Sequence, residues 1–416
     1  MSHQFTPLTG TDVTVGMMTS GGLAPCLSAS IALLTKYWVK AKKEGKIKSL
    51  KFVFYKSGYK GLLTGDSFVL PESEWDKCES LLYLGGSPIG NSRVKLTNVE
   101  DCIKKGYCPA DSTPLEVCSQ QLLKDGINVI HTIGGDDTNT QAAHLSDYLM
   151  DKHHGKVIVI GMPKTIDNDV YPIKQTFGAN TAAVQGARFF ENIVNESTAN
   201  PRMLILHEVM GRDSGYLTAA TSAEYRKILA AQDLSAGMFP YCSTATRDIH
   251  AIWIPELKLD LLAEGERLKK IMDEVGCVNV FFGEGTGVKE IVADMEARGE
   301  EVPRDAFGHV TLAKINPGLY FSKNLAEAVG ADKTIVQKSG YFGRSSAANA
   351  FDIELIGKCA EEGVNAALAG CSGCMGEDED QGDKIRAIEF NRIKGHKPFN
   401  VEQPWFQQML KEIGQV

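Results

Sequence analysis

Residues 157–169 read VIVIGMPKTIDND, an apolar run that ends in a lysine, a threonine and two aspartates. A short, continuous apolar run predicts a β-strand that is buried on both faces, as strands of parallel sheets are. Strand-like runs at 13–18, 50–63, 128–135, 203–211 and 278–285 alternate with helical patterns at 26–45, from about 139, and at 179–196. This alternation predicts an α/β fold with mostly parallel sheets and with ligands at the carboxyl ends of the strands.

The composition is that of a soluble globular protein, because 43% of the 416 residues are hydrophobic and 23% are charged. A chain of this length predicts two domains. The formal net charge of -8 provides no field that would attract nucleic acid or an anionic membrane. We therefore expect no nucleic-acid partner and no membrane partner, and we expect local cationic groups to hold any polyanionic substrate.

The N-terminal residues MSHQFTPLTG lack a basic start followed by an apolar core, and no apolar run reaches the length of a membrane span. We therefore expect a cytosolic protein. The ten cysteines are scattered apart from Cys371 and Cys374, and no second CxxC or His pair could complete a zinc site with these two. This pattern predicts reduced thiols. The stretch 99–115 reads as an insertion between elements, and 376–384 reads as a solvated acidic loop.

Two glycine-rich turns follow strand-like runs. TSGGLAPC (19–26) places bare backbone N–H groups at the start of a helix, where they can bind phosphate oxygens. A tight corner without a ligand explains this turn equally well. IGGDDTNTQAA (133–143) places Asp136 where it can hold a divalent cation, although Asp137 could instead be a helix N-cap.

PKTIDND (163–169) is the most informative of these clusters because it combines a cation, a hydroxyl and two carboxylates at a strand end. A kinase acting on an alcohol needs a carboxylate that accepts the hydroxyl proton, an acid that supports the metal, and cations against the transferring group. An acidic surface turn would explain neither the apolar strand before it nor Lys164. The cluster therefore predicts phosphoryl transfer.

TSGG, GGDD, PKTIDND, MGRDSGYL and GEG occur in this order over about 13–349, and by these motifs the chain resembles the phosphofructokinase family. The resemblance implies two Rossmann-like three-layer domains with the active site in the cleft between them. We expect a phosphoryl-donor domain at 1–175 plus about 345–400, a sugar-phosphate domain at 176–344 and a C-terminal extension at 401–416. The resemblance also implies a homo-oligomer, either a dimer or a tetramer, in which residues of two subunits complete each site.

The resemblance assigns roles to residues of the donor side. Asp167 would be the general base that takes the proton from the sugar 1-hydroxyl. Gly21 and Gly22 would bind the donor phosphate. Asp136 would bind Mg²⁺, and Asp169 would support the metal or its waters. Arg93 would also bind the donor and face the transferring group.

The resemblance likewise assigns the acceptor side, where Arg202 would reach the sugar phosphate of a neighbouring subunit. The fork of an arginine suits phosphate because it can bond two oxygens at once. The remaining sugar-phosphate contacts would come from Thr165, Ile166, Met210, Gly211, Arg212, Glu284, Tyr341 and Arg344.

The phosphoryl donor follows from two positions at which ATP-using relatives carry glycine, namely Asp137 and Lys164. A carboxylate at 137 would stand near the α-phosphate of ATP, and two like charges about 4 Å apart at a dielectric of about 20 repel by about 4 kcal/mol. Pyrophosphate has no α-phosphate, and Lys164 would neutralise charge on the phosphates in transit. We therefore expect a reversible reaction of pyrophosphate and fructose 6-phosphate that gives fructose 1,6-bisphosphate and phosphate, for glycolysis or gluconeogenesis.

Other functions remain open from the sequence alone. The nearest is an ATP-dependent phosphofructokinase, and a non-catalytic subunit that senses sugar phosphates is a more distant one. A subunit of that kind would be expected to lose the proton acceptor or the metal acid, whereas Asp136, Asp167 and Arg212 are all present. NAD kinases and lipid kinases also use a GGD turn, but the TIDND and MGR segments have no role in them.

Overall fold

The structure is a computed structural model that describes residues 5–232, 234, 239, 241–304 and 310–416. The chain divides into two compact units. Unit 1 comprises Met1–Thr181 and Arg344–Lys397, and unit 2 comprises Ala182–Gly343 and Pro398–Val416. Each unit contains a sheet with helices around it, and most of the strand pairs are parallel. The predicted α/β fold class is therefore confirmed.

The sheet of unit 1 has the strand order β11-β10-β5-β4-β1-β2-β3. Its strands are β1 Asp12–Thr19, β2 Ser49–Tyr55, β3 Ser67–Leu70, β4 Val129–Gly134, β5 Ile158–Pro163, β10 Gly373–Asp378 and β11 Lys384–Ile388. The outer pairs β2/β3 and β10/β11 are antiparallel, and the inner pairs are parallel. Register places Thr19 opposite Ile133 and Gly134 opposite Pro163, so the inner strands end side by side.

Helices cover this sheet. They are α1 Leu27–Lys43, α2 Tyr59–Thr64, α3 Val99–Lys104, α4 Pro114–Lys124, α5 Asp136–His153 and α14 Ala350–Leu368, with 3-10 segments at Glu72–Tyr83, Glu379–Gln381 and Phe390–Arg392. The start of α4 shows why such helices begin where they do. Thr113 caps it by accepting a hydrogen bond from the N–H of Glu116 (3.2 Å), and Pro114 occupies the first turn, where no N–H is needed.

Unit 2 has the parallel strand order β7-β8-β6-β9. Its strands are β6 Met203–Val209, β7 Ala251–Trp253, β8 Cys277–Gly283 and β9 Lys333–Lys338. Its helices are α7 Tyr216–Ala230, α8 Thr244–Arg247, α9 Leu261–Val275, α10 Val288–Ala297, α11 Leu312–Ile315, α12 Pro317–Val329 and α15 Pro404–Glu412. A 3-10 segment lies at Val194–Thr198. Two helices, α6 Ala179–Ile193 and α13 Gly340–Arg344, lie at the unit boundaries. Strands β6 and β8 are buried along their whole length, as their apolar sequences predict.

Three local predictions are wrong. The acidic stretch 376–384 is not a loop throughout, because β10 and β11 pair as a hairpin across it. The stretch 99–115 contains α3 and the start of α4. The run at 50–63 is strand only to Tyr55 and continues as α2. Within the described residues, no helix combines the length and the apolar composition needed to cross a membrane.

Candidate functional site

The turn after β1 contains the half-buried glycines Gly21 and Gly22. Gly21 has a φ of +84°, a left-handed conformation that favours glycine. The N–H of Gly21 donates to the carbonyl of Ser92 (2.9 Å), and the carbonyl of Gly21 accepts a hydrogen bond from Nδ2 of Asn91 (3.1 Å). A Cβ at Gly21 would lie 3.3 Å from Nζ of Lys164. The absence of a side chain therefore lets the turn lie against this lysine.

Lys164 follows β5 and is almost completely buried, with 5% of its surface exposed. Its Nζ donates to the carbonyl of Gly22 (2.7 Å), which ties the ends of β1 and β5 together. Burial lowers the pKa of Lys164, while the charge of Asp167 raises it. A buried ammonium is costly unless anions are close to it. The position therefore favours a bound anion beside the glycine turn.

Two arginines add positive charge at this place. The positive charges of Arg93 and Arg344 also lower the pKa of Lys164, although burial has the larger effect. A Cβ at Gly22 would lie 3.6 Å from Nη2 of Arg93. Three cations of unit 1 thus face one region at the carboxyl ends of β1 and β5.

The loop after Lys164 is held by its own polar groups. Oγ1 of Thr165 accepts a hydrogen bond from the N–H of Asp167 (3.1 Å) and donates to Oδ1 of Asp169 (3.4 Å). Ile166 is buried, whereas Asp167 and Asp169 are half-buried. Asn168 has a φ of +50°, and its Oδ1 accepts from the N–H of Thr176 (2.8 Å). The turn therefore fixes the backbone from which both carboxylates project.

Asp136 and Asp137 occupy the first turn of α5, where the helix dipole stabilises negative charge. The N-cap is Gly135 without a side-chain hydrogen bond, so Asp137 is not the N-cap. Burial raises the pKa of Asp136, and the charges of Asp137 and Asp169 raise it further. Gly395 leaves room for the carboxylate of Asp136, because a Cβ there would overlap it.

These carboxylates fit a magnesium ion. No group of three or more His, Cys, Asp or Glu that could hold a metal occurs in the part of the chain that the structure describes. Mg²⁺ is usually held by one or two carboxylates together with substrate phosphates and waters, so a cage of three protein ligands is not required. The charge of Asp169 raises the pKa of Asp136, so the two carboxylates are close enough to interact.

In unit 2, predicted residues meet at the carboxyl ends of β6 and β8. Register places Val209 opposite Gly283, and the N–H of Glu284 donates to the carbonyl of Val209 (2.9 Å). Burial raises the pKa of Glu284, against hydrogen bonding from the Gly211 backbone and the charge of Arg212. Gly211 has a φ of +125°, which favours glycine. This group presents a carboxylate and an exposed arginine at one strand edge.

The two remaining unit 2 contacts lie around α13. A Cβ at Gly340 would lie 2.6 Å from Cε of Met210, so this glycine allows the methionine to pack there. Tyr341 is 74% exposed. The structure thus brings Met210 to the start of the segment that carries Tyr341 and Arg344.

Arg202 lies elsewhere in unit 2. Arg202 directly precedes β6, and Met210 directly follows β6. The two residues therefore lie at opposite ends of a strand of seven residues, which is about 23 Å long. Its Nε donates to the carbonyl of Gly330 (2.7 Å), and its Nη2 lies 2.9 Å from Oδ1 of Asp273. Within one chain, Arg202 is therefore not brought to the group at the carboxyl end of β6.

Lys95 is a charged neighbour of the site that the sequence did not single out. Its Nζ lies 2.7 Å from Oδ1 of Asp137. The signal that could have found it is the alternation of charged and apolar residues in Arg93-Val94-Lys95-Leu96, which begins at a predicted donor residue.

Comparisons with known proteins show which proteins this chain is similar to. The family model described as phosphofructokinase matches residues 14–233. A pyrophosphate--fructose 6-phosphate 1-phosphotransferase of Methylotuvimicrobium alcaliphilum is 53% identical over 403 residues, which are 96% of this chain and 96% of the relative. A protein of the same name from Mastigamoeba balamuthi is 50% identical over 404 residues, 97% of this chain and 96% of the relative.

Solved structures show the same fold. The crystal structure of a pyrophosphate-dependent phosphofructokinase from Marinobacter aquaeolei matches with a TM-score of 0.69. The match covers 96% of this chain and 91% of that chain at 19% identity. An identity this low concerns the fold alone.

Proposed function

The chain belongs to the phosphofructokinase family, and from this premise we propose that it transfers a phosphoryl group from pyrophosphate to the 1-hydroxyl of fructose 6-phosphate. The products are fructose 1,6-bisphosphate and phosphate, and the reaction is reversible. The observation that carries this proposal is the identity of 50% or more, over nearly the whole chain, to phosphotransferases named for these two substrates. Asp137 and Lys164 stand at the donor turns in agreement with it.

Pyrophosphate is held by the turn after β1 and by the cations around it. The backbone of Gly21 and Gly22 accepts close approach of phosphate oxygens, and Lys164 lies against both residues. Arg93 and Lys164 then balance the charge on the phosphates during transfer. Preorganised positive charge stabilises the transition state most where water is excluded. Water is largely excluded from Lys164 because this side chain is buried.

Asp167 is the general base. The carboxylate projects from a turn fixed by Thr165, and a positioned carboxylate can accept the proton of the attacking hydroxyl. The turn holds Asp167 close enough to Lys164 for the two charges to interact. Proton acceptance and charge neutralisation thus occur at one strand end.

Asp136 and Asp169 are the residues that would hold Mg²⁺. When bound, the ion neutralises charge on the phosphates and orients them. The two carboxylates are close enough to interact, and burial already disfavours the charge of Asp136 in the absence of a cation.

Carboxylate and guanidinium side chains bind fructose 6-phosphate. Glu284 holds sugar hydroxyls, and Arg212 and Arg344 grip phosphate oxygens, which suits the planar guanidinium. Arg202 would serve a neighbouring subunit in a homo-oligomer, a dimer or tetramer. The other contacts are Thr165, Ile166, Met210, Gly211 and Tyr341.

Unit 1 corresponds to the phosphoryl-donor domain, since it contains the glycine turns, the cations and the metal acids. Unit 2 contributes most of the sugar contacts. We place the enzyme in the cytosol.

A coupled assay tests the proposed function in both directions. Purified protein with Mg²⁺, fructose 6-phosphate and pyrophosphate should form fructose 1,6-bisphosphate, and with fructose 1,6-bisphosphate and phosphate it should form pyrophosphate. Absence of turnover in both directions would contradict the proposal. Turnover with ATP alone would identify the ATP-dependent activity instead.

A further inference from the structure

The segment 91–97 connects the two turns of the proposed donor site. At its start, Nδ2 of Asn91 donates to the carbonyl of Gly21 (3.1 Å). At its end, the N–H of Thr97 donates to Oε1 of Gln141 in α5 (3.0 Å). The segment is therefore held to the glycine turn at one end and to α5 at the other.

Burial alternates along this segment. Arg93 and Lys95 are exposed, Val94 is half-buried against the core of unit 1, and Leu96 is 1% exposed in that core. Arg93 and Lys95 are therefore both accessible to a ligand, and the buried Leu96 fixes the backbone next to Lys95.

Each of the two cations faces a different part of the site. Nη2 of Arg93 lies 3.6 Å from where a Cβ of Gly22 would be, and Nζ of Lys95 lies 2.7 Å from Oδ1 of Asp137. Arg93 thus serves the glycine turn, where pyrophosphate binds. Lys95 instead lies at the first turn of α5, so a phosphoryl donor longer than two phosphates would have to pass it.

The ion pair of Lys95 and Asp137 contributes little to stability. Both side chains are well exposed, at 48% and 68%. Ion pairs of this kind are typically weak because water screens them and side-chain entropy opposes them. At a separation of 2.7 Å the two charges also largely cancel for a ligand further away. Repulsion by an uncompensated Asp137 is therefore not a sufficient account of phosphoryl-donor choice.

We infer that Lys95 is a specificity-determining residue for the phosphoryl donor. Paired with Asp137, it closes the outer end of the phosphate site. If position 137 has no carboxylate, Lys95 becomes a cation that binds a third phosphate. The inference rests on the proposed function, and it explains how one residue at 137 changes both the charge and the usable length of the site.

Calorimetric titration of Mg-tripolyphosphate and Mg-pyrophosphate, in the absence of fructose 6-phosphate, tests this inference without depending on turnover. Tripolyphosphate offers a third phosphate without a nucleoside, so steric effects of adenosine do not enter. The proteins are the wild type, Asp137→Gly, Lys95→Gln and the double variant. Asp137→Gly should tighten tripolyphosphate binding by about tenfold.

In the Asp137→Gly background, Lys95→Gln should weaken tripolyphosphate binding by about tenfold and pyrophosphate binding by less than about threefold. Lys105→Gln in the same background is the matched control, since Lys105 forms another exposed pair, with Asp101 at 2.7 Å. It should change neither dissociation constant. Lys95→Gln and Lys105→Gln should each leave the unfolding temperature of their background unchanged, whereas Asp137→Gly should lower it slightly because it removes a negative charge from the first turn of α5.

The role of Lys95 is overturned if Asp137→Gly does not tighten tripolyphosphate binding. It is also overturned if Lys95→Gln leaves that binding unchanged in the Asp137→Gly background or weakens both ligands equally. Absence of pyrophosphate turnover in the wild type overturns the proposed function itself. Turnover of pyrophosphate together with a flat binding cycle overturns only the role of Lys95.

Discussion

At the scale of single residues, Lys164 shows how the fold prepares a place for an anion. Burial lowers its pKa, and the charges of Arg93 and Arg344 lower it further. The carbonyl of Gly22 accepts one of its N–H bonds. A phosphate group beside these cations would be stabilised by all of them, which is the physical basis for placing the phosphoryl donor here.

The lowered pKa of Lys164 predicts where activity falls with pH. As pH rises, a lysine with a lowered pKa loses its proton earlier than an ordinary lysine does. Because Lys164 then loses its charge, kcat/KM for pyrophosphate should fall on the alkaline side. Lys164→Arg keeps its charge, because arginine does not deprotonate in proteins, and should move this fall to higher pH. Steady-state kinetics between about pH 7 and about pH 10.5 measure it. An identical alkaline limb in the variant would contradict the role of this lysine.

Asp167 is predicted to act mainly in the transition state. Asp167→Ser should lower kcat by about 100-fold to 10,000-fold with little change in KM for fructose 6-phosphate, since it removes the proton acceptor but not the sugar contacts. Asp147→Ser, at an exposed position of α5, is the control and should keep wild-type kinetics. Near-normal turnover of Asp167→Ser would show that another group takes the proton.

At the scale of elements, β4 of unit 1 and β6 of unit 2 each carry a fully buried histidine. Burial lowers the pKa of His131 and of His207 to about 3. Nε2 of His131 accepts a hydrogen bond from Nε1 of Trp38 (2.9 Å), and Nε2 of His207 lies 2.8 Å from Oγ of Ser339. Protonation of Nε2 in His131 would set two hydrogen-bond donors against each other. The native strand therefore needs this histidine neutral.

The histidine in β4 predicts acid sensitivity. Between the unfolded pKa of about 6.5 and the folded pKa of about 3, the unfolded state binds one more proton, so stability is lost as pH falls. Between about pH 7 and about pH 5 the loss is about 2 kcal/mol for this group. In His131→Gln, whose side-chain carbonyl can still accept from Trp38, the free energy of unfolding in urea should depend less on pH by that amount. His144→Gln, at an exposed position, should show the wild-type dependence, and the same slope in all three proteins would contradict the account.

The elements that the sequence predicts best are those whose burial follows from their own residues. The apolar runs become β1, β4, β5, β6 and β8, and each is followed by a predicted site segment. The β10–β11 hairpin could not be read in this way. Asp378 in this hairpin is fully buried, and its charge is balanced by Arg386 (2.9 Å) and Arg392 (2.7 Å). Because both arginines lie outside the acidic stretch, the stretch itself gives no sign that this aspartate is buried.

The neighbours of a candidate site residue are predictable within one motif and not where contacts cross the chain. Lys164 and Asp167 share one segment, so the sequence predicts that they lie close together, and their charges do interact in the structure. The pairing of Lys95 with Asp137 joins residues 42 positions apart, and neither side chain signals the other. Arg202 shows the same limit, because its bond to Gly330 depends on a helix end far along the chain.

At the scale of the whole molecule, an acidic protein binds two polyanionic substrates. The net charge is -8, so the overall field does not attract them. The cations proposed to bind phosphate are grouped at strand ends of unit 1, with Arg212 at a strand end of unit 2. Binding should therefore depend on short-range contacts with these cations and not on the overall field.

The choice of phosphoryl donor by the intact wild-type enzyme tests the central claim most directly. Rates of fructose 1,6-bisphosphate formation are measured with saturating fructose 6-phosphate and Mg²⁺ while either pyrophosphate or ATP is varied. We expect kcat/KM for pyrophosphate to exceed that for ATP by about 1000-fold or more, which corresponds to about 4 kcal/mol, because the pair of Lys95 and Asp137 closes the site to a third phosphate. A value for ATP equal to or above that for pyrophosphate would contradict the account.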